Sequence, residues 1–199
     1  LMQYDAKEWY DIQVDIDLKD GKYSVSINGA DAAEDVPLLS VSSDISHYEF
    51  STYRWGSGTF HVDDLRITGV PVHSSDEPEP VFGELFAEDF EEVEVGTLPA
   101  GWTTLEKDFV DPISVTEDVY GNRRLTIRES GNGNESWAQL PFDEPIRNKI
   151  GAEVRVMAEQ TGKTAGFLML RDSGNNKIVE IMFACCNNRM TAVWAKRCG

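Results

Sequence analysis

The sequence predicts an all-β protein, an antiparallel sandwich or jelly roll, on two observations. Segments rich in aromatic and β-branched residues recur about every ten to fifteen residues, and clusters of Gly and Asn separate them. The first segment alternates strictly, with apolar residues at Ile12, Val14, Ile16 and Leu18. A period of two is typical of a strand that buries one face.

The other strands follow in order along the chain. A second strand at 23–27 leads into Asn28 and Gly29, a pair that strongly favours a tight turn. Three more strands are predicted at 38–43, 47–55 and 58–69, and the later ones at 85–95, 123–130, 136–142, 149–159, 164–172, 176–186 and 190–196. No segment favours a helix over a strand.

Composition excludes several classes of partner. The 199 residues carry 35 acids against 18 bases, a formal net charge of −17, which repels nucleic acid and anionic lipid surfaces. No window approaches the roughly 18 consecutive apolar residues of a membrane helix. The first residues have no basic-then-apolar signal layout, so we expect any export signal to lie outside this chain.

A linker divides the sequence. Residues 71–82 are rich in proline, serine and acids, as expected of an extended and solvated connector. It separates residues 1–70 from residues 83–199. The three cysteines, Cys185, Cys186 and Cys198, have no metal-ligand spacing and form no disulfide framework, although Cys186 and Cys198 could bridge across a hairpin.

In the strand predicted at 58–69, the apolar residues are even-numbered before Asp63 and odd-numbered after Asp64, so the side that faces the core changes between them. One extra residue in a strand has this effect, so a β-bulge is predicted there. Adjacent carboxylates repel each other unless something compensates them. In one interpretation they cap backbone N–H groups or pair with Arg66. In the other they bind Ca²⁺ together with Asp89 and Glu91 from the strand after the linker, because Ca²⁺ takes six to eight oxygen ligands.

Two motifs resemble a known family. Residues 85–102, "LFAEDFEEVEVGTLPAGW", resemble the opening of concanavalin A-like, laminin-G-like jelly-roll modules of secreted carbohydrate-active proteins. Residues 8–30, with "GTFHVDDLRITG" at 58–69, resemble the close of the same module, and MAM-type extracellular modules are similar at both places. The resemblance implies a secreted or cell-surface location, and in MAM-type modules the paired acids are associated with calcium.

The motif order departs from the family, since the closing half, residues 1–70, precedes the opening half, residues 83–199. The chain is then either a circular permutant or a piece cut from tandem repeats. Each half alone would expose an unpaired sheet edge, so we expect both halves to complete one sandwich. They would do so within one chain or by exchange between neighbouring chains, which gives self-association.

Catalysis is not indicated. Asp15 and Asp17 alternate on one strand, but they flank core-facing residues and are expected to point into solvent. The histidines His47, His61 and His73 are dispersed, without a Ser/His/Asp or Cys/His arrangement.

Carbohydrate binding is the favoured function. It needs aromatic faces that stack on sugar rings, with polar side chains that bind the hydroxyl groups. The candidates are Tyr53, Arg54, Trp55 and Trp137, next to Gly-rich segments. The alternatives are a structural or self-associating repeat module and, third, a polysaccharide-degrading domain.

Overall fold

The computed structural model describes residues 3–52, 58–70, 82–105, 113–128, 136–160, 166–184 and 189–192. Within these ranges the chain forms strands and no helix, so the all-β prediction is confirmed. The strands are β1 (Trp9–Asp17), β2 (Lys22–Ile27), β3 (Ala30–Pro37), β4 (Ile45–Ser51), β5 (Thr59–Val70), β6 (Gly83–Glu88), β7 (Thr103–Leu105), β8 (Ser114–Glu117), β9 (Arg123–Arg128), β10 (Trp137–Ala158), β11 (Gly166–Arg171), β12 (Lys177–Ala184) and β13 (Arg189–Ala192). These ranges hold no helix of the length and apolar character needed to cross a membrane.

The strands form one curled antiparallel sheet with two parts. Part A has the order β13-β12-β11-β4-β10-β7. Part B has the order β3-β2-β1-β10-β5, and both β6 and β9 pair with the far side of β5. The 22-residue strand β10 joins the parts, since residues 137–146 lie in part A and residues 147–158 in part B.

One hydrophobic core lines the inner faces of both parts. β1 of part B buries Ile12, Val14 and Ile16, as its alternation predicts. β4 of part A buries Tyr48 and Phe50, whose rings meet edge to face at 4.7 Å. A curled sheet with a continuous core on its inner side is compatible with a β-sandwich.

Strands from the two sides of the linker pair with each other. β1 pairs with β10 along its whole length, from Trp9 with Met157 to Asp17 with Lys149. β4 lies between β10 and β11, and β5 pairs with β6, β9 and β10. The described residues on both sides of the linker therefore contribute to the same sheet.

Three strand predictions differ from the structure. The strand predicted at 85–95 ends as β6 at Glu88, and residues 89–95 form turns and bends. Residues 38–43 form no strand, and β3 occupies 30–37 instead. The Asn28–Gly29 turn, with φ angles of 51° and 73°, returns the chain beside β2, so pairing overrides the weak strand propensity of residues 30–35. The segments 136–142 and 149–159, predicted as separate strands, lie within the single strand β10.

The predicted bulge at Asp63 and Asp64 is confirmed. Between the paired positions Asp63–Arg155 and Arg66–Glu153, β5 has two residues where β10 has one. Asp64 has a φ of 47°, in the left-handed region. The extra residue lets β5 bury apolar side chains of one parity before the bulge and of the other parity after it.

Candidate functional site

The bulge lies where β5 changes partner. β9 pairs with residues 59–62 and β6 with residues 65–69, so neither strand covers Asp63 and Asp64. We call this gap the seam. Glu88, the last residue of β6, is opposite Leu65, and the segment that carries Asp89 and Glu91 therefore starts beside the bulge.

The bulge turns its two carboxylates to different surroundings. Asp64 is half-exposed, and its Oδ2 accepts a hydrogen bond from Arg155 at 2.9 Å. The expected partner Arg66 instead lies 3.2 Å from Glu84, so the predicted pairing with Arg66 is wrong. Arg66 extends from β5 after the bulge, whereas Arg155 lies opposite the bulge on β10.

Asp63 is only 3% exposed. Its Oδ1 accepts the backbone N–H of Asp64 at 2.9 Å, as the capping interpretation predicts, and its Oδ2 accepts the side-chain amide of Asn122 at 3.2 Å. Burial raises the pKa of Asp63 to about 6, and the neighbouring charge of Asp64 adds to the rise, although both hydrogen bonds lower it. The seam thus holds a carboxylate that is only partly compensated at neutral pH.

The other two predicted calcium ligands, Asp89 and Glu91, are exposed and engaged locally. Asp89 Oδ1 accepts the N–H of Glu91 at 3.1 Å, and Glu91 Oε1 accepts the N–H of Arg123 at 3.1 Å. In the described part of the chain, no three Asp, Glu, His or Cys side chains are grouped so that they could hold a metal ion. Calcium binding by these residues would therefore require Asp89 and Glu91 to move closer to Asp63 and Asp64.

A second candidate site lies on the outer face of part A. Ala138 and Leu140 of β10 point into the core, so Trp137 and Gln139 point outward. Side chains on the outer face of the neighbouring strands lie beside Trp137 and Gln139, and together they form an open cleft of about 430 Å³. The cleft is lined by His47, Glu49, Trp137, Gln139, Arg171 and Asn175.

A charge pair fixes the floor of this cleft. Arg171 lies with Nε 2.9 Å from Glu49 Oε2, and another guanidinium nitrogen donates to Glu49 Oε1 at 3.1 Å. Arg171 also donates to the backbone carbonyl of Asn175 at 3.1 Å. One hydrogen bond and a second close charge contact hold both side chains in one geometry.

His47 lines the cleft and is a titratable residue. Burial lowers its pKa below the ordinary value of 6.5, and the positive charge of Arg171 lowers it further. Its Nδ1 lies 2.9 Å from the hydroxyl of Ser46. The imidazole is therefore neutral at neutral pH, and its Nε2 atom is buried.

The sequence-predicted carbohydrate residues are only partly located. Trp137 is half-buried in the cleft, while Tyr53, Arg54 and Trp55 lie outside the described residues. Cys185, Cys186 and Cys198 also lie outside them.

Sequence reasoning missed His47, Glu49 and Arg171 as cleft residues. The sequence signal that could have found two of them is the alternation of β4. The aromatic residues Tyr48 and Phe50 mark its buried face, so residues 47 and 49 lie on the outer face.

The alternating carboxylates of β1 face solvent, as predicted. Asp15 is exposed, and Asp17 accepts the N–H of Asp20 at 3.0 Å and lies 3.6 Å from Lys149 Nζ. The hydrogen bond from Asp20 is the largest influence lowering the pKa of Asp17. Asp17 therefore stabilises a turn and a cross-strand pair.

Fold and sites together define an all-β protein with one curled antiparallel sheet and an outward-facing cleft. The chain matches no protein-family model, and no curated protein matches it in sequence.

Proposed function

We propose that this chain is a non-catalytic carbohydrate-binding or accessory module of a secreted or cell-surface protein, with a concanavalin A-like jelly-roll sandwich in permuted order. The observation that carries the proposal is the cleft on part A. There Trp137 offers an aromatic surface next to Gln139, His47 and the paired Glu49 and Arg171. Five of the six lining residues are polar or charged, so the cleft offers mainly hydrogen-bonding groups for sugar hydroxyls beside one aromatic ring.

The charge of this face favours a neutral glycan. Glu49 is paired with Arg171, and Glu180 with Lys177 at 2.7 Å, while His47 is uncharged at neutral pH. Each ion pair has no net charge, and its side chains can still donate hydrogen bonds to sugar hydroxyl groups and accept hydrogen bonds from them. The net charge of −17 on the whole chain would repel an anionic polysaccharide.

We further propose that calcium stabilises the module at the seam. The support is the buried carboxylate of Asp63, with its raised pKa, next to the segment that carries Asp89 and Glu91. A divalent cation would compensate Asp63 and Asp64 together. It would have a structural role, without a part in any reaction.

A glycan array tests the binding function. We expect binding of neutral oligosaccharides by the wild-type chain and a loss of at least about tenfold in affinity for Trp137→Ala, because stacking area is removed. The matched control is Tyr120→Ala, since Tyr120 is an exposed aromatic residue (93%) outside the cleft. Equal binding by wild type and Trp137→Ala would contradict the proposed site.

The second candidate is a structural or self-associating module, favoured by the pairing of strands from both sides of the linker. It predicts no glycan binding, together with oligomers that form with rising concentration through exchange of halves. A polysaccharide-degrading domain, the third candidate, would hydrolyse a polysaccharide and lose that activity in Asp15→Asn or Asp17→Asn.

A further inference from the structure

A groove opens along the side of the sheet, between β6 and the stretch of β10 that crosses from part A to part B. Its lining is mainly apolar and includes Ile67 of β5, Leu85 and Phe86 of β6, and Leu140 and Phe142 of β10. The groove has a volume of about 430 Å³, within the range of ligand-binding pockets. It is separate from both the seam and the cleft.

The strand beside the groove has a free edge. β6 pairs with β5 on one side, and none of the described residues pairs with its other side. Leu85 in this strand is 37% exposed, and Phe82 just before it is 51% exposed. Proteins usually protect such edges, because free N–H and C=O groups recruit another strand.

The opposite wall of the groove is unsuited to pairing. Pro141 and Pro145 lie in this stretch of β10, and neither has a backbone N–H to donate. Of these two walls, only β6 has an unpaired run of backbone groups in the described part of the chain, so an extended segment that binds here would pair its backbone with β6 and its side chains would contact the apolar lining.

The acidic side chains at the rim of the groove favour a positively charged ligand. Asp143 and Glu144 line the groove and are exposed, and the chain carries a net charge of −17. A second copy of this chain would be repelled by the same charge. A basic side chain two residues from an apolar one lies on the same face of an extended segment, so that face complements both the rim and the lining.

We propose that β6 is a docking edge for an extended basic segment of a partner protein. The segment adds to the sheet as a strand next to β6, inserts an apolar side chain between Leu85 and Phe142, and places lysine or arginine beside Asp143 and Glu144. This is recognition by strand addition, in which main-chain hydrogen bonds give affinity and pockets for alternate side chains give specificity.

The test uses the full chain and an eight-residue peptide with the sequence Val-Val-Lys-Lys repeated twice, so that valine and lysine alternate along each face of the extended peptide. Binding is followed by fluorescence anisotropy at physiological salt. We expect saturable binding, which is weakened at least about tenfold by Leu85→Lys. Val119→Lys adds the same charge at a site 93% exposed and outside the groove, and it should bind nearly as wild type does. Amides of β6 should exchange hydrogen more slowly with peptide bound.

A second variant and a second peptide keep the test decisive. The double variant Asp143→Asn, Glu144→Gln changes only exposed groups, and it should weaken binding severalfold. A peptide of the same sequence with alternate amides N-methylated cannot form the ladder and should not bind. Equal binding of the methylated peptide, equal loss in Leu85→Lys and Val119→Lys, or no saturable binding would overturn the proposal.

Discussion

At the scale of single residues, Asp63 is the feature with the largest thermodynamic consequence. It is buried, and it depends on one amide and one backbone N–H for compensation. Its neighbour Asp64 is instead half-exposed and ion-paired with Arg155. The sequence shows two adjacent acids where the alternation of the strand shifts by one residue. Which of the two acids is buried depends on the strands that pair with β5 on either side of the seam.

Asp63→Asn should stabilise the calcium-free protein at pH 7. Burial raises the pKa of Asp63 from 3.8 to about 6, so the folded protein holds this proton more tightly than the unfolded chain does. The stabilising contribution is complete below pH 3.8 and is lost as the pH rises through 6. Ionised Asp63 therefore costs up to about 3 kcal/mol at pH 7, and we expect the variant to gain about 1 to 3 kcal/mol in denaturant unfolding.

The advantage of Asp63→Asn should disappear near pH 3.5, where the wild-type carboxyl is protonated in both states. Asp15→Asn is the matched control, because Asp15 is exposed, and it should have little effect at either pH. Calcium at about 100 times its dissociation constant should add about 2.7 kcal/mol to the wild type and nothing to Asp63→Asn. Identical unfolding with calcium and with EDTA would contradict the calcium proposal.

At the scale of elements, strands with strict alternation could be predicted from the sequence. β1, β2 and the bulged β5 follow their patterns, because their inner faces must reach the core. β3 could not be predicted from propensity, since its residues are mostly exposed and only its pairing with β2 makes it a strand. Pro141 and Pro145 indicate a break between two strands, but β10 continues through both because it pairs with β4 in part A and with β1 and β5 in part B.

Gly166 is a point of close approach between the parts. A Cβ added to it would overlap the ring of Phe60, which is buried at the opposite side of the core. We expect Gly166→Ala to destabilise the protein by about 1 to 3 kcal/mol, because the ring has no free space to move into. Chemical denaturation measures this change.

The double variant Phe60→Leu, Gly166→Ala provides the control for that clash. The alanine should cost less in the Phe60→Leu background than in the wild type, since the smaller side chain leaves room for the methyl group. A cost that is the same in both backgrounds would show that the two parts do not meet at this position.

At the scale of the whole molecule, the cleft depends on pairing between distant segments. His47 and Glu49 come from the segment before the linker, while Trp137, Gln139 and Arg171 come from the segment after it. Periodicity reveals which face of a strand is buried, but it does not reveal which strands are neighbours. The aromatic Trp137 could therefore be predicted as a binding residue, whereas its grouping with His47, Glu49 and Arg171 could not.

The central claim is that the segments on either side of the linker form one module within one chain. It is tested by placing a specific protease site within residues 71–81, cleaving the folded protein and measuring its mass by native mass spectrometry at low micromolar concentration. The account predicts that both fragments stay together as a 1:1 complex close to 22 kDa, because β1, β4 and β5 remain paired with β10. Separate fragments after cleavage, or an uncut protein that is already a dimer, would contradict it.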